Sequence, residues 1–203
     1  MSKPVAAMLA AICLGLGGGA AAHDINSQQA PAGSPFAPYA FLVGDWKLTA
    51  RGSLETLVVL RFKWAENHAY LTYSGLFIVK GQEHPHFEGV LMWNGVHKNL
   101  DMLLNIDPVR GLAQEQGTVS IRPDGVVVRD ITGVFSEGVK PMGEPAVGAG
   151  GSTGHFRQTF TRIDEDHVET NALREAAGAW TPTFPGADHL LMTRREEEEH
   201  HHH

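Results

Sequence analysis

Glu115 and Arg129 are charged residues within stretches in which every second residue is apolar or small. Because alternate residues of a β-strand share a face, both side chains point to the interior if these stretches are neighbouring strands of one barrel. A buried carboxylate needs a partner, and Arg129 is the candidate on the next strand. The pair then either orients the polar head of a ligand or serves as a structural ion pair. A register shift of one residue would turn both side chains outward.

His86 lies in a second group of candidate residues, within the run His84-Pro85-His86-Phe87-Glu88. Three possible metal ligands at alternate positions share one strand face, the geometry of metal sites on β-scaffolds. Alternatively, His84 belongs to the preceding turn, and only His86 and Glu88 lie in a barrel wall. His86 with Glu88 or Glu115 also has the chemistry of an acid/base pair of an isomerase or hydrolase. We favour a binding protein and keep an enzyme as the alternative.

His189 alternates with Leu191 and Thr193, which places the three side chains on one face of a predicted strand. This pattern predicts an imidazole that points into an apolar cavity, where a neutral imidazole can bind haem iron. The alternative is a histidine of the wall or of a strand end. The remaining candidates for ligand contacts are three polar residues and one aromatic residue: Tyr73, Gln158, Asn171 and Trp93.

The stretches around these residues predict an all-β fold. Between Leu54 and Trp64, apolar residues alternate with charged ones, as in a half-buried antiparallel strand. Turn signals recur about every ten residues after it. Apolar, β-branched or aromatic runs lie between the turns, at 69–79, 86–94, 99–106, 112–122, 126–136, 155–163, 167–175 and 187–194.

Short connections favour pairing of strands that are neighbours in sequence. We therefore predict an antiparallel up-and-down meander of about nine or ten strands, closed into a barrel because closure removes exposed edges. The segment 137–153, rich in Gly and Pro, is predicted to be a mobile loop at one mouth of the barrel.

Gly44 and Trp46 stand at the start of the first predicted strand. The glycine lets the backbone bend tightly, and the indole plugs the closed end of a barrel. This pattern resembles the calycin-type barrels, which include the lipocalins. The resemblance implies a barrel over residues 39–195, and it implies Arg194, near the last strand, as the basic residue that packs over the indole.

Within that group, the chain is similar in outline to nitrobindin, a haem-binding barrel, and to uncharacterised secreted lipocalin-like domains. Three stretches carry the likeness: residues 42–46, residues 86–89 followed by 111–117, and residues 188–190. The resemblance implies His189 as the proximal ligand of a haem iron.

Residues 1–22 are typical of a secretory signal peptide, with Lys3, an apolar run and the small residues Ala20-Ala21-Ala22. We expect export to the periplasm or the exterior, a mature chain that begins near His23, and a flexible leader over 23–38. Cys13, the one cysteine of the sequence, lies in this signal, so the mature chain is predicted to have no disulfide. Residues 196–203 are interpreted as an appended tail or a solvated charge run.

The charge of the remaining chain argues against nucleic acid as a partner. Excluding Lys3 and the four tail glutamates lowers the counts from 16 basic and 23 acidic residues to 15 and 19, a net charge near −4. A mildly acidic domain without a basic cluster has no electrostatic footprint for phosphates. The signal's apolar run is short for a transmembrane helix, so no stable membrane insertion is expected. The sequence thus predicts an exported barrel that binds a small apolar or amphipathic molecule.

Overall fold

The fold is that of a computed structural model, described for residues 29–107, 112–140 and 145–195. Its β-strands in these ranges are β1 Gly44–Ala50, β2 Thr56–Trp64, β3 Leu71–Val79, β4 Gln82–Asn94, β5 Asn99–Ile106, β6 Ala113–Ile121, β7 Val127–Phe135, β8 Ser152–Arg162, β9 His167–Thr170, β10 Leu173–Ala176, β11 Ala179–Pro182 and β12 Leu190–Arg194. Two short 3₁₀ helices, Ala37–Leu42 and Glu66–His68, precede β1 and β3.

Ten of these strands close into a barrel. Strands β1 to β8 each pair antiparallel with the next, and β12 pairs with both β9 and β1. This confirms the predicted all-β antiparallel meander barrel. It is also the general architecture of calycin-type barrels.

The β10–β11 hairpin lies outside this ring. It pairs with the first half of β8 through Leu173 and Arg174, whereas the second half of β8 pairs with β9. The predicted strand 167–175 is therefore two strands, broken at Asn171 and Ala172. The break occurs where Asn171 donates to Oγ1 of Thr159 on β8 at 2.8 Å and accepts from the Thr159 amide at 2.9 Å. These side-chain bonds replace the strand pairing that ends there.

The closed end contains the three residues that the sequence singled out. Nε1 of the fully buried Trp46 donates to the carbonyl oxygen of Leu42 at 2.7 Å. The guanidinium carbon of Arg194 lies 4.1 Å from the centroid of the Trp46 ring, as expected. Gly44 has φ +135°, and a Cβ added there would overlap Nη1 of Arg194. Glycine is thus required by both the backbone and the close approach.

The segment before β1 packs into the base of the barrel. Phe36 is 3% exposed, and its ring meets Trp64 edge-on with the centroids 5.6 Å apart. The hydroxyl of Tyr39 donates to the carbonyl oxygen of Val119 at 3.2 Å. The predicted leader, 23–38, is therefore too long: Phe36 belongs to the core, because its ring covers apolar surface that the barrel would otherwise expose.

Burial alternates along the strands, which shows which side chains face inward. In β7, every second residue from Val127 to Phe135 is buried or packed against an interior ring, and Arg129 is among the buried ones. Glu115 occupies a buried position of β6 in the same way. The interpretation that Glu115 and Arg129 face the interior is confirmed.

The predicted signal peptide, 1–22, and the tail, 196–203, lie outside the described residues, as do parts of the predicted leader and of the 137–153 loop. Within the described ranges, no helix combines the length and the apolar character that a membrane span requires.

Candidate functional site

A cavity of about 270 Å³ occupies the end of the barrel opposite Trp46. Its wall is mainly apolar and includes six large side chains: Phe77, Phe87, Ile106, Phe135, Phe156 and Phe184. Pockets for drug-sized ligands have volumes of about 300–1,000 Å³, so this cavity suits a compact molecule.

Four polar side chains at the inner end of the cavity form what we term the polar floor: Tyr73, Glu115, Arg129 and Gln158. Counted as whole residues, each is at most 9% exposed. Nη2 of Arg129 donates to Oε2 of Glu115 at 2.6 Å, so the predicted ion pair is present. The guanidinium carbon of Arg129 also lies 5.6 Å from the centroid of the Tyr73 ring. Nε2 of Gln158 donates to Oγ1 of Thr170 at 3.3 Å.

Burial dominates the protonation of the polar floor. Desolvation raises the pKa of the Glu115 carboxyl, and the charge of Arg129 opposes that rise. Burial likewise raises the pKa of the Tyr73 hydroxyl, which therefore keeps its proton and stays a hydrogen-bond donor. The floor thus offers donors from Tyr73 and Arg129, and a carboxyl group that water does not stabilise.

A β-bulge brings His86 into the same cavity. The β3–β4 register shifts between Gly75 and Leu76, so that Gly75 pairs with Phe87 while Leu76 pairs with Pro85. The extra residue on β4 lets the neighbouring side chains His86 and Phe87 both line the cavity. Burial lowers the pKa of the His86 imidazole, against the charge of Asp107, which favours the neutral ring. The ring centroids of His86 and Phe77 are 3.9 Å apart.

Cationic residues border the cavity at its mouth. Lys140 comes from the β7–β8 loop, Arg174 from β10, and Arg157 from β8. The predicted 137–153 loop thus contributes to the mouth through Val139 and Lys140. The mobility predicted for that loop stays a prediction.

A polar cluster outside the barrel, which we term the hairpin clamp, holds the β10–β11 hairpin against β7 and β8. Nδ1 of His155 lies 2.8 Å from Oε2 of Glu175 on β10, and its Nε2 contacts Asp130 on β7. Nε of Arg157 donates to Asp130 at 3.0 Å, and its guanidinium stacks 4.2 Å from the ring centroid of Trp180 on β11. Because the hairpin lines the cavity mouth, the clamp also positions part of the site.

Three of the predicted ligand-contact residues lie away from the cavity wall. Glu88 is exposed on the face of β4 opposite Phe87, so the predicted His86–Glu88 pairing within one wall is wrong. Trp93 lies near the other end of β4 and is 36% exposed. Asn171 bonds β8 at the strand break. In contrast, Tyr73, His86, Glu115, Arg129 and Gln158 all line the cavity. Their role in ligand contact stays a prediction.

His189 does not fit the haem site that the nitrobindin resemblance implies. Its side chain is 55% exposed, with Nδ1 3.9 Å from Glu169 and Nε2 3.7 Å from Asp188. The inward residues near it are Leu190 and Met192, so the expected face of this strand was the wrong one. Arg194 explains this, because its packing over Trp46 requires the even-numbered residues to face inward.

The predicted metal site at His84, His86 and Glu88 is also not formed. Among the described residues, no group of three or more His, Cys, Asp or Glu side chains is arranged to hold a metal ion. His84 is exposed, whereas His86 turns into the cavity at the bulge.

The hairpin residues of the site were not anticipated from the sequence. Ala177 and Gly178, both with positive φ, form the two-residue turn between β10 and β11. Gly178 is the available signal for this turn, but the pattern of the preceding residues predicts one long strand over 167–175. The partners Asp130, His155 and Glu175 are far apart in sequence, so no local spacing indicates the clamp.

Comparison with known proteins leaves the chain without a family assignment: neither the family models nor the curated proteins searched contain a match.

Proposed function

We propose that the protein binds a compact amphipathic organic molecule inside its barrel. The observation that carries the proposal is the apolar cavity of about 270 Å³ with the buried polar floor at its inner end. Apolar walls with a few convergent polar groups are typical of small-molecule sites. The apolar body of the ligand would contact the phenylalanines, and its polar end would reach Tyr73 and Arg129.

Blocking the cavity tests this proposal. Ile106, at the end of β5, lines the cavity and pairs with Ala113 and Phe87. We expect full-length protein to bind the neutral fluorophore N-phenyl-1-naphthylamine, and Ile106→Trp to weaken binding about tenfold or more because the indole fills the space. The control is Asn105→Trp, at an exposed position of the same strand, which should bind like wild type. Absence of binding by wild type, or equal binding by both variants, would contradict a cavity site.

We also propose that the chain is exported. Residues 1–22 support this through the pattern of positive charge, apolar run and small residues. Expression in a bacterial host followed by fractionation and N-terminal sequencing should yield a processed chain that begins near His23. A chain that keeps Met1 in the cytoplasmic fraction would overturn this proposal without affecting the ligand-binding one.

A further inference from the structure

The guanidinium of Arg129 has hydrogen-bonding capacity that the described part of the chain does not use. Its Nε is buried and has no acceptor there, although Nη2 of the same group bonds Glu115. Nε and Nη2 lie on one edge of the guanidinium, the edge that a carboxylate contacts with both oxygens. Glu115 therefore uses half of a bidentate site. Arg129 is a lining residue of the cavity, so a ligand that takes the place of Glu115 gains both halves.

The charges around Glu115 come from several elements. Arg129 on β7 contacts Glu115 directly. Tyr73 on β3 and His86 on β4 line the same cavity, and burial lowers the pKa of the His86 imidazole and favours its neutral form. Lys140 of the β7–β8 loop and Arg174 of β10 add positive charge at the mouth, whereas the charge of Arg157 is paired with Asp130 in the hairpin clamp. An ionised Glu115 cancels the charge of Arg129, whereas a protonated Glu115 leaves a cation at the end of an apolar cavity. Burial favours that protonated form.

We propose that the cavity binds a compact monocarboxylate, which displaces Glu115 from Arg129 while Glu115 takes up one proton from solvent. The ligand carboxylate then accepts hydrogen bonds from Nε and Nη2 of Arg129. The protonated Glu115 becomes a donor, and the total charge of the site stays balanced. No covalent bond forms or breaks apart from the O–H bond on Glu115. This inference rests on the proposed binding function and specifies its ligand class.

The hydrogen-bonding geometry and the charge of the site favour a carboxylate over an amine or an alcohol. One guanidinium edge matches the planar fork of a carboxylate, and the cationic mouth attracts an anion. An amine would meet Arg129 with like charge. A neutral alcohol can accept one bond from Nε, but it gains nothing from the protonation of Glu115.

Calorimetry of the full chain with octanoate and 1-octanol as probes tests the exchange. We expect octanoate to bind more tightly than octanol, and its affinity to fall as pH rises wherever Glu115 is ionised in the free protein, because binding then takes up a proton. The proton uptake follows from binding enthalpies in two buffers of different ionisation enthalpy. This readout needs no variant, so it does not depend on how substitutions fold.

Two variants and one control sharpen the test. Glu115→Gln removes the titrating carboxyl, so octanoate affinity should lose its dependence on pH and exceed that of wild type where Glu115 of the wild type is ionised. Adding Arg129→Met to Glu115→Gln should abolish the preference for octanoate over octanol. Gln116→Glu, which adds a carboxyl on the outer face of β6, should retain the proton uptake of wild type.

The outcomes separate this inference from the broader function. Octanoate binding without proton uptake, or octanol binding as tightly as octanoate, would overturn the exchange while leaving the cavity as a binding site. If N-phenyl-1-naphthylamine, octanol and octanoate all fail to bind, both proposals fall.

Discussion

Arg194 and Arg129 both place a guanidinium within the barrel, at the closed end and beside the cavity, with side chains 16% and 11% exposed. All three guanidinium nitrogens of Arg194 donate to main-chain carbonyl oxygens, on Phe41, Val43 and Glu165. Arg129 instead bonds one carboxylate and leaves its buried Nε without an acceptor in the described chain. The first arginine joins segments of the fold, whereas the second keeps a buried donor that no acceptor in the described chain uses.

The two ends of the barrel differ in the same sense. The closed end is filled by Trp46 and by the segment from Phe36 to Leu42, whereas the open end keeps an apolar cavity with charged groups at its floor. A buried guanidinium whose nitrogens all donate to the protein stabilises the folded state through those hydrogen bonds. A buried guanidinium with an unbonded donor gains a hydrogen bond when a ligand supplies an acceptor. Four predictions test this contrast.

Arg194→Ala should have the largest effect. Removing the guanidinium leaves three main-chain carbonyls without a donor and uncovers Trp46, so we expect a loss of about 4 kcal/mol in the free energy of unfolding. Urea denaturation followed by tryptophan fluorescence measures it. Arg195→Ala is the control, since Arg195 forms a partly exposed ion pair with Glu83; its loss should stay below about 1 kcal/mol. Similar losses in both variants would refute the structural role of Arg194.

Arg129→Met should follow, with a loss of about 3 kcal/mol at about pH 8, because it leaves the Glu115 carboxylate buried and unpaired. A carboxyl whose folded pKa is raised destabilises the fold as pH rises through that pKa, so the loss should be smaller at about pH 5. Urea denaturation at both pH values checks the sign.

Adding Glu115→Gln to Arg129→Met sharpens the comparison with Arg194. The double variant should return to within about 1 kcal/mol of wild type, because no buried charge remains. A double variant as unstable as Arg129→Met alone would show that Arg129, like Arg194, is needed for the fold itself.

Gly44→Ala should cost about 2 kcal/mol, since φ +135° is strained for any residue with a Cβ, and the methyl group displaces Arg194. Gly148→Ala is the matched control: it has open space around it and no positive φ, so its unfolding free energy should stay near that of wild type. Thermal or urea unfolding of the two proteins distinguishes them, and equal stability would contradict the close packing at the closed end.

The hairpin clamp should give the smallest effect. Asp130 and Glu175 raise the pKa of the His155 imidazole, so its contribution is complete below the unfolded value of 6.5 and is lost as pH rises through the folded pKa. Since the cluster is exposed and screened, we expect only about 0.5 kcal/mol. In wild type, hydrogen exchange at the amides of Ala176 and Trp180 should accelerate once the pH exceeds the folded pKa of His155, by more than the intrinsic pH dependence of exchange. His155→Gln should show the intrinsic pH dependence alone. The same pH dependence in both proteins would show that His155 does not stabilise the hairpin.

Local alternation in the sequence was sufficient to predict the barrel and part of its site. Residues two apart share a strand face. The alternation around Glu115 and Arg129 therefore predicts that both side chains face the barrel interior if their strands are adjacent. The bend at Gly44 and the indole plug at Trp46 were predictable from the residue types, whereas the packing of Arg194 over the indole was implied by the resemblance to calycin-type barrels.

Only the tertiary structure decided the features that depend on register and closure. Alternation defines two faces of β12 but does not say which is inward; the packing of Arg194 over Trp46 sets this, and it turns His189 out. The β4 bulge brings His86 beside Phe87, and ring closure through β12 displaces the β10–β11 hairpin to the mouth. These outcomes depend on contacts between residues distant in sequence, which no local period encodes.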